Sequence, residues 1–249
     1  MKNRILLFIF VFLTSFLCSC QGKQYTLLLG NFSNNFISEM RENFTGDVNN
    51  YFARKDMQSG ELFKIVDSNA SYYDNKTQYP FFGVTEKAKN IVINFGLSDF
   101  VPSMKIDESK KILEYDKDLF DHQLEIFQYH AYHIVEDVKE INSKANIFLL
   151  SAYSKYTFEK PEQLLFNSLV KEVNTELVKI ASEHKVTYIS LVDINDEIAS
   201  NPSMNINSFI LKRLRGALNE WCYISQKHNP VYLVIWSYCD TIPLYVWWY

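Results

Sequence analysis

Glycine, proline and cysteine are scarce in this chain, at 7, 6 and 4 residues of 249. The cysteines form no C-x-x-C pair and no Cys/His spacing, so no metal motif is present. Positive charge is not in excess, with 25 Lys and Arg against 29 Asp and Glu, and no basic patch argues for nucleic acid. No apolar run reaches the ~20 residues of a transmembrane helix. No motif calls for a cofactor. What the chain does have is apolar bulk: hydrophobic residues make up 47% and charged residues 22%, enough for a full core and against disorder.

The N-terminus carries the longest apolar run. Lys2 and Arg4 precede Ile5–Leu17, which is broken by Thr14 and Ser15. That is the layout of a secretory signal. Its end, Leu17-Cys18-Ser19-Cys20, resembles the lipobox of bacterial lipoproteins. The resemblance implies cleavage after Ser19, a diacylglyceryl group on Cys20, and an exported protein anchored in the lipid bilayer of a bacterial membrane. Polar residues 21–24 then form a tether. An ordinary cleaved signal or an uncleaved anchor is the plainer alternative. Loss of residues 1–19 removes Lys2 and Arg4 and leaves a balance of −6. Cys222 and Cys239 remain as a pair of exported thiols, bonded or free.

Residues 25–249 are one domain's worth of chain. Apolar stretches at Tyr25–Leu29, Glu61–Asp67, Asn90–Phe95, Asn146–Leu150 and Val186–Val192 are expected as strands. Helices are expected over Asn35–Ala53, Leu119–Ile141, from Pro161 onward, and over about Asn207–Ser225. The third- and fourth-residue repeat of Phe120, Leu124, Phe127, Ala131, Ile134, Val138 and Ile141 is the clearest of these. Ser68–Tyr79 reads as loop. Strands alternating with helices predict an α/β domain with a mainly parallel sheet and helices on both faces. The aromatic tail Asn229–Tyr249 is expected to add a strand or hairpin. In such sheets ligands sit beyond the carboxyl ends of the strands. Those ends are read as 30–34, 67–71, 96–99, 151–156 and 193–196.

The order of the loops resembles that of the SGNH or GDSL-type hydrolases, three-layer flavodoxin-like esterases. Leu29-Gly30-Asn31-Phe32-Ser33 stands where that family has Gly-Asp-Ser with a Ser nucleophile. Gly96-Leu97-Ser98-Asp99 matches its Gly-x-Asn-Asp block at three positions. The fourth strand leaves through Ser151-Ala152-Tyr153, and Glu197–Ser203 stands where Asp-x-x-His-Pro-Asn is expected. The resemblance implies a ligand rim of Asn31, Phe32, Ser33, Gly96, Ser98, Asp99, Tyr153 and Asn201. In that register Phe32 takes the nucleophile's place, Ser98 that of an oxyanion donor, Asn201 that of the base His and Ile198 that of its Asp partner. The second-block Gly would fall near Asn69–Ser71, where none stands. A Ser needs a base and fixed oxyanion donors to act on an ester. The expectation is therefore a scaffold without its chemistry, binding a glycan, lipid or protein. The alternative is a rewired esterase for acyl groups of lipids or glycans, with Ser33 as nucleophile. Asp99 is expected to bond loop amides. His130 and His133, one turn apart, are read as helix-surface residues rather than zinc ligands. His184 is placed at the wrong end of the sheet, and His228 beyond the last helix.

Overall fold

The computed structural model describes residues 25–44, 46–107, 110–153, 158–194 and 205–227, the side chains of 218–227 excepted. The leader, Cys20, Asn201, His228, Cys239 and the aromatic tail with its expected strand lie outside these residues, as does the side chain of Cys222.

Five parallel strands form the main sheet: β1 (Tyr25–Asn31), β2 (Asp47–Arg54), β3 (Ala88–Asn94), β4 (Asn146–Leu150) and β5 (Thr187–Ile189). Their spatial order is β2-β1-β3-β4-β5. This 2-1-3-4-5 order is the flavodoxin-like doubly wound arrangement, as the SGNH resemblance implies. The expected α/β fold is the observed one. The central strands are apolar on both faces because both faces are covered. Leu27, Leu29, Ile91, Ile93, Ile147 and Leu149 face one core, and Leu28, Val92, Phe148 and Leu150 face the other. Helices α1 (Asn34–Asn43) and α6 (Ile206–Lys227) close the second core through Phe36, Met40, Phe209 and Leu214. Helices α2 (Ser59–Asp67), α4 (Lys117–Ile141) and α5 (Lys160–His184) close the first, with the short α3 (Phe81–Thr85) beside them.

Three expectations fail, each for a local reason. The helix expected over Asn35–Ala53 stops at Asn43, and Asp47–Arg54 is the second strand. Gly46 at φ +129° breaks the run. As an edge strand, β2 carries exposed or half-exposed residues over 47–51 and lacks an apolar run. The stretch read as a second strand, Glu61–Asp67, is helix: Leu62 and Val66, four apart, are its buried pair. Ser68–Tyr79 holds a hairpin, Ser71–Asp74 against Thr77–Pro80, turned at Asn75 with φ +53°. A second hairpin, Met104–Asp107 with Ile112–Tyr115, follows a 3₁₀ turn over Ser98–Ser103.

One polar clasp holds the far end of this framework. Buried Asn142, just past α4, donates from Nδ2 toward the carbonyls of Thr85 (2.9 Å), Glu86 (3.1 Å) and Ala88 (2.8 Å), and its Oδ1 accepts from Lys144 N and Ala145 N. At the other end Gly30 decides the spacing of β1 and β3. It sits at φ +95°, and a Cβ there would lie 2.3 Å from the carbonyl oxygen of Asn94. Gly30→Ala is expected to lower the unfolding free energy by about 3 kcal/mol or more through strain and overlap. Gly216→Ala, where a Cβ would meet nothing within 4 Å, is expected to raise it by about 0.5–1 kcal/mol. Urea unfolding midpoints of the two variants, moving in opposite directions, check both.

Candidate functional site at the switch point of the sheet

The strand order reverses between β1 and β3, so the crevice beyond Asn31 and Asn94 is the place where doubly wound sheets bind ligands. Asn31, at the end of β1, spans it. Its Nδ2 donates to Ser98 Oγ at 2.9 Å, its Oδ1 accepts from Asp56 N at 2.9 Å, and its carbonyl accepts from Asn94 Nδ2. Gly96, at φ +68°, makes room for that amide: a Cβ there would stand 2.7 Å from Asn31 Nδ2. Gln58 Nε2 reaches Ser98 O at 3.3 Å. Three loops are thus tied together through Asn31 and Ser98, while Asn94 Oδ1 is buried without a hydrogen-bond partner among the described residues.

Phe32 points away from this network. It is 3% exposed, lies in the second core and stacks on Phe36 at 5.3 Å between centroids. Its burial contributes about 2–3 kcal/mol as a large apolar side chain. Ser33 follows as the N-cap of α1, its Oγ accepting from Phe36 N at 3.2 Å. Among the described residues no histidine nitrogen is hydrogen-bonded to Ser33. Tyr153, at the end of β4, is half-buried against the second core, and burial raises its hydroxyl pKa.

The corrected second strand moves the second loop. It is Lys55–Gln58, after β2, and not Asn69–Ser71. A glycine stands next to it after all: Gly60, in the first turn of α2. The sequence holds that signal as Gln58-Ser59-Gly60-Glu61, where Gln58 N donates to Glu61 Oε2 at 3.2 Å as in a capping box.

Around Gly60 the structure brings together three residues that sequence reasoning left apart. Asp99 accepts from Ser59 N (3.0 and 3.1 Å) and from Ser59 Oγ (2.6 Å), and His130 Nδ1 lies 3.2 Å from the same Oγ. The His130 ring stacks on Phe63 at 5.0 Å and packs on Gly60, where a Cβ would meet its Cε1 at 3.0 Å. Asp, Ser and His are all present, but the order is wrong for nucleophilic catalysis. A triad places His between Ser and Asp. Here Ser59 is in the middle, fully buried, with its proton on the shorter contact to Asp99. The His130 Nδ1–H then donates to the hydroxyl oxygen. Asp99 binds the first amide of a helix, a favourable place for a carboxylate. Burial nonetheless raises its pKa, against the lowering by the Ser59 hydroxyl and amide and by His130.

His133 and His184 are engaged separately. His133 Nδ1 is 3.0 Å from Glu136 Oε2, and His184, at the end of α5 and away from the rim, packs on Tyr132 at 4.5 Å. Among the described residues no group of three His, Cys, Asp or Glu side chains is placed to hold a metal ion.

No protein-family model and no curated protein matches the sequence. Among solved structures the chain is similar to an extracellular lipase from Streptomyces rimosus, at 10% identity over 68% of this chain and 80% of that one, with a TM-score of 0.46. It is similar to a lipase from a goat rumen metagenome at 18% identity over 70% and 82%, TM-score 0.48. An acetyl xylan esterase from Geobacillus stearothermophilus matches at 12% identity over 72% and 81%, TM-score 0.46. At these values the strand order, not the likeness, carries the flavodoxin-like three-layer α/β fold, and the activities named are those of the other proteins.

Two outcomes follow from the geometry. Asp99→Ala leaves the Ser59 amide and hydroxyl without their acceptor in a buried place, and is expected to cost about 2–4 kcal/mol in urea unfolding. Two groups that weaken the fold as pH falls are His130 and His184, whose pKa values are lowered from 6.5 chiefly by burial; Asp99 and Asp137, whose pKa values burial raises, act in the opposite sense. The stabilising contribution of the two histidines is full above 6.5 and is lost as pH falls from there through the folded values. Unfolding midpoints at pH 7 and pH 5 check this: His130→Asn with His184→Asn is expected to make the change from pH 7 to pH 5 less destabilising than in the unsubstituted chain.

Proposed function

We propose that this chain is a membrane-tethered bacterial lipoprotein whose SGNH-like rim binds a ligand instead of hydrolysing one. Phe32 carries the reading. At the position where the family resemblance expects a nucleophile, an aromatic ring is packed into the core beside Phe36. The neighbouring groups support it. Ser98 replaces an oxyanion amide and is bonded to Asn31, and Ser33 is occupied as a helix cap. A site of this family register that has Phe32 for its nucleophile, Asn201 for its base and Ser98 for one oxyanion donor keeps little beyond binding. The ligand classes that suit an exported crevice of amides and hydroxyls are a glycan, a lipid headgroup or a protein loop. Cys20, acylated with two or three chains, holds the protein on the membrane far better than one chain would.

The test uses the full-length protein purified from membranes. A fluorophosphonate probe is expected to leave it unlabelled under conditions that label a serine esterase. Labelling that disappears in Ser33→Ala overturns the binding reading in favour of the rewired esterase. Ser33→Ala itself is expected to cost about 1 kcal/mol as a lost N-cap. Cys20→Ser is expected to move the protein out of the acylated fraction, read by palmitate labelling. An unchanged palmitate signal contradicts the anchor.

A further inference from the structure

The domain end nearest Cys20 is built of aromatic residues. The Tyr25 hydroxyl donates to Val84 O on α3. Burial and the neighbouring Tyr51 push its pKa up to about 12. The Tyr51 ring lies on Tyr72 at 4.5 Å and 7°, and on Tyr79 at 4.6 Å and 39°. Tyr72 and Tyr79 face each other across the first hairpin. Beyond this stack the segment exposes large rings: Tyr72 at 40%, Tyr73 at 65% and Phe82 at 42%. Neighbouring strand residues point to opposite faces, so the strand that lays Tyr72 on Tyr51 turns Tyr73 away from it into solvent.

The chain outside the described domain says what lies there. Only residues 21–24 separate Cys20 from Tyr25. Fully extended, they hold Tyr25 within roughly 18 Å of the anchored cysteine. Rings with a polar tip concentrate at membrane interfaces, where one end is apolar and the other wet. Lys76, Lys87 and Lys89 share this region with Asp47, Asp74 and Glu86, so its charge is balanced and favours no lipid headgroup by sign.

We propose that the first hairpin and α3, through Tyr73 and Phe82, rest in the headgroup layer of the membrane that holds Cys20. This rests on the lipid-anchor reading above. It also fixes orientation. All five strands are parallel and β1 starts at Tyr25, so β1 runs away from the bilayer. The rim with Asn31 and Ser98 then stands roughly 20 Å further out, open to a soluble or cell-surface ligand. A crevice so oriented does not take its ligand from the bilayer that anchors it.

The test is hydroxyl-radical footprinting of the full-length protein in phosphatidylcholine vesicles, with modified residues located by mass spectrometry. Tyr129, on α4, is 56% exposed and serves as the internal reference against Tyr73 at 65%. The expected result is at least threefold less modification of Tyr73 than of Tyr129. Equal modification with Cys20 acylated overturns the proposal while leaving the anchor standing. An unacylated Cys20 in the same spectra overturns the anchor, and the proposal with it. Protection that grows with protein density in the vesicles assigns the surface to a second copy of the chain, which also overturns it.

Discussion

The close approach of β1 and β3 at their carboxyl ends is the constraint on which the rim depends. A glycine is required because the Asn94 carbonyl occupies the space of a Cβ at Gly30. That approach brings Asn94 under the carbonyl of Asn31, and the positive φ of Gly30 turns the chain so that the Asn31 amide crosses the crevice. Gly96 yields the matching space on the other side. Everything that follows is a consequence: Ser98 and Asp56 are tied to Asn31, Phe32 is sent into the second core, and Ser33 is left to cap α1. A buried or satisfied polar group costs free energy to free, so this network resists the rearrangement that would present a reactive hydroxyl.

Beside it, the contact of Asp99 with Ser59 shows how one set of residue types serves two ends. The carboxylate, hydroxyl and imidazole of hydrolase chemistry are all there within hydrogen-bond distance. Their order makes them a helix-end clamp that joins α2, the 3₁₀ turn and α4. Chemistry is decided by which group stands in the middle and by exposure, not by the presence of three residue names.

The α/β class and the first, third and fourth strands were legible because buried parallel strands read as unbroken apolar runs, as in Leu27-Leu28-Leu29 and Ile91-Val92-Ile93. The long helices α4 and α5 were legible through their repeats. The second strand was not, because β2 lies at the sheet edge and carries Asn49 and Asn50 where a central strand would carry Val or Ile. Phe44 and Val48 continued a false helical spacing across Gly46. The apolar Phe63-Lys64-Ile65-Val66 then took its place, although Leu62 and Val66 repeat at a helical interval. That single exchange displaced the second loop and hid Gly60. Of the site, Asn31, Gly96, Ser98 and Asp99 were legible as loop residues at the ends of β1 and β3, whereas Phe32 turns into the second core and Ser33 caps α1. Ser59, Asp56 and the contact with His130 were missed, since they depend on how loops from β2 and β3 meet a helix far along the chain.

The account stands or falls on whether any serine of this chain acts as a nucleophile. Rapid-mixing measurement of nitrophenolate release from nitrophenyl acetate by the full-length protein tests that most directly. The geometry predicts no burst and a release rate indistinguishable from buffer. A burst stoichiometric with protein, lost in Ser33→Ala and retained in Ser59→Ala, would contradict it.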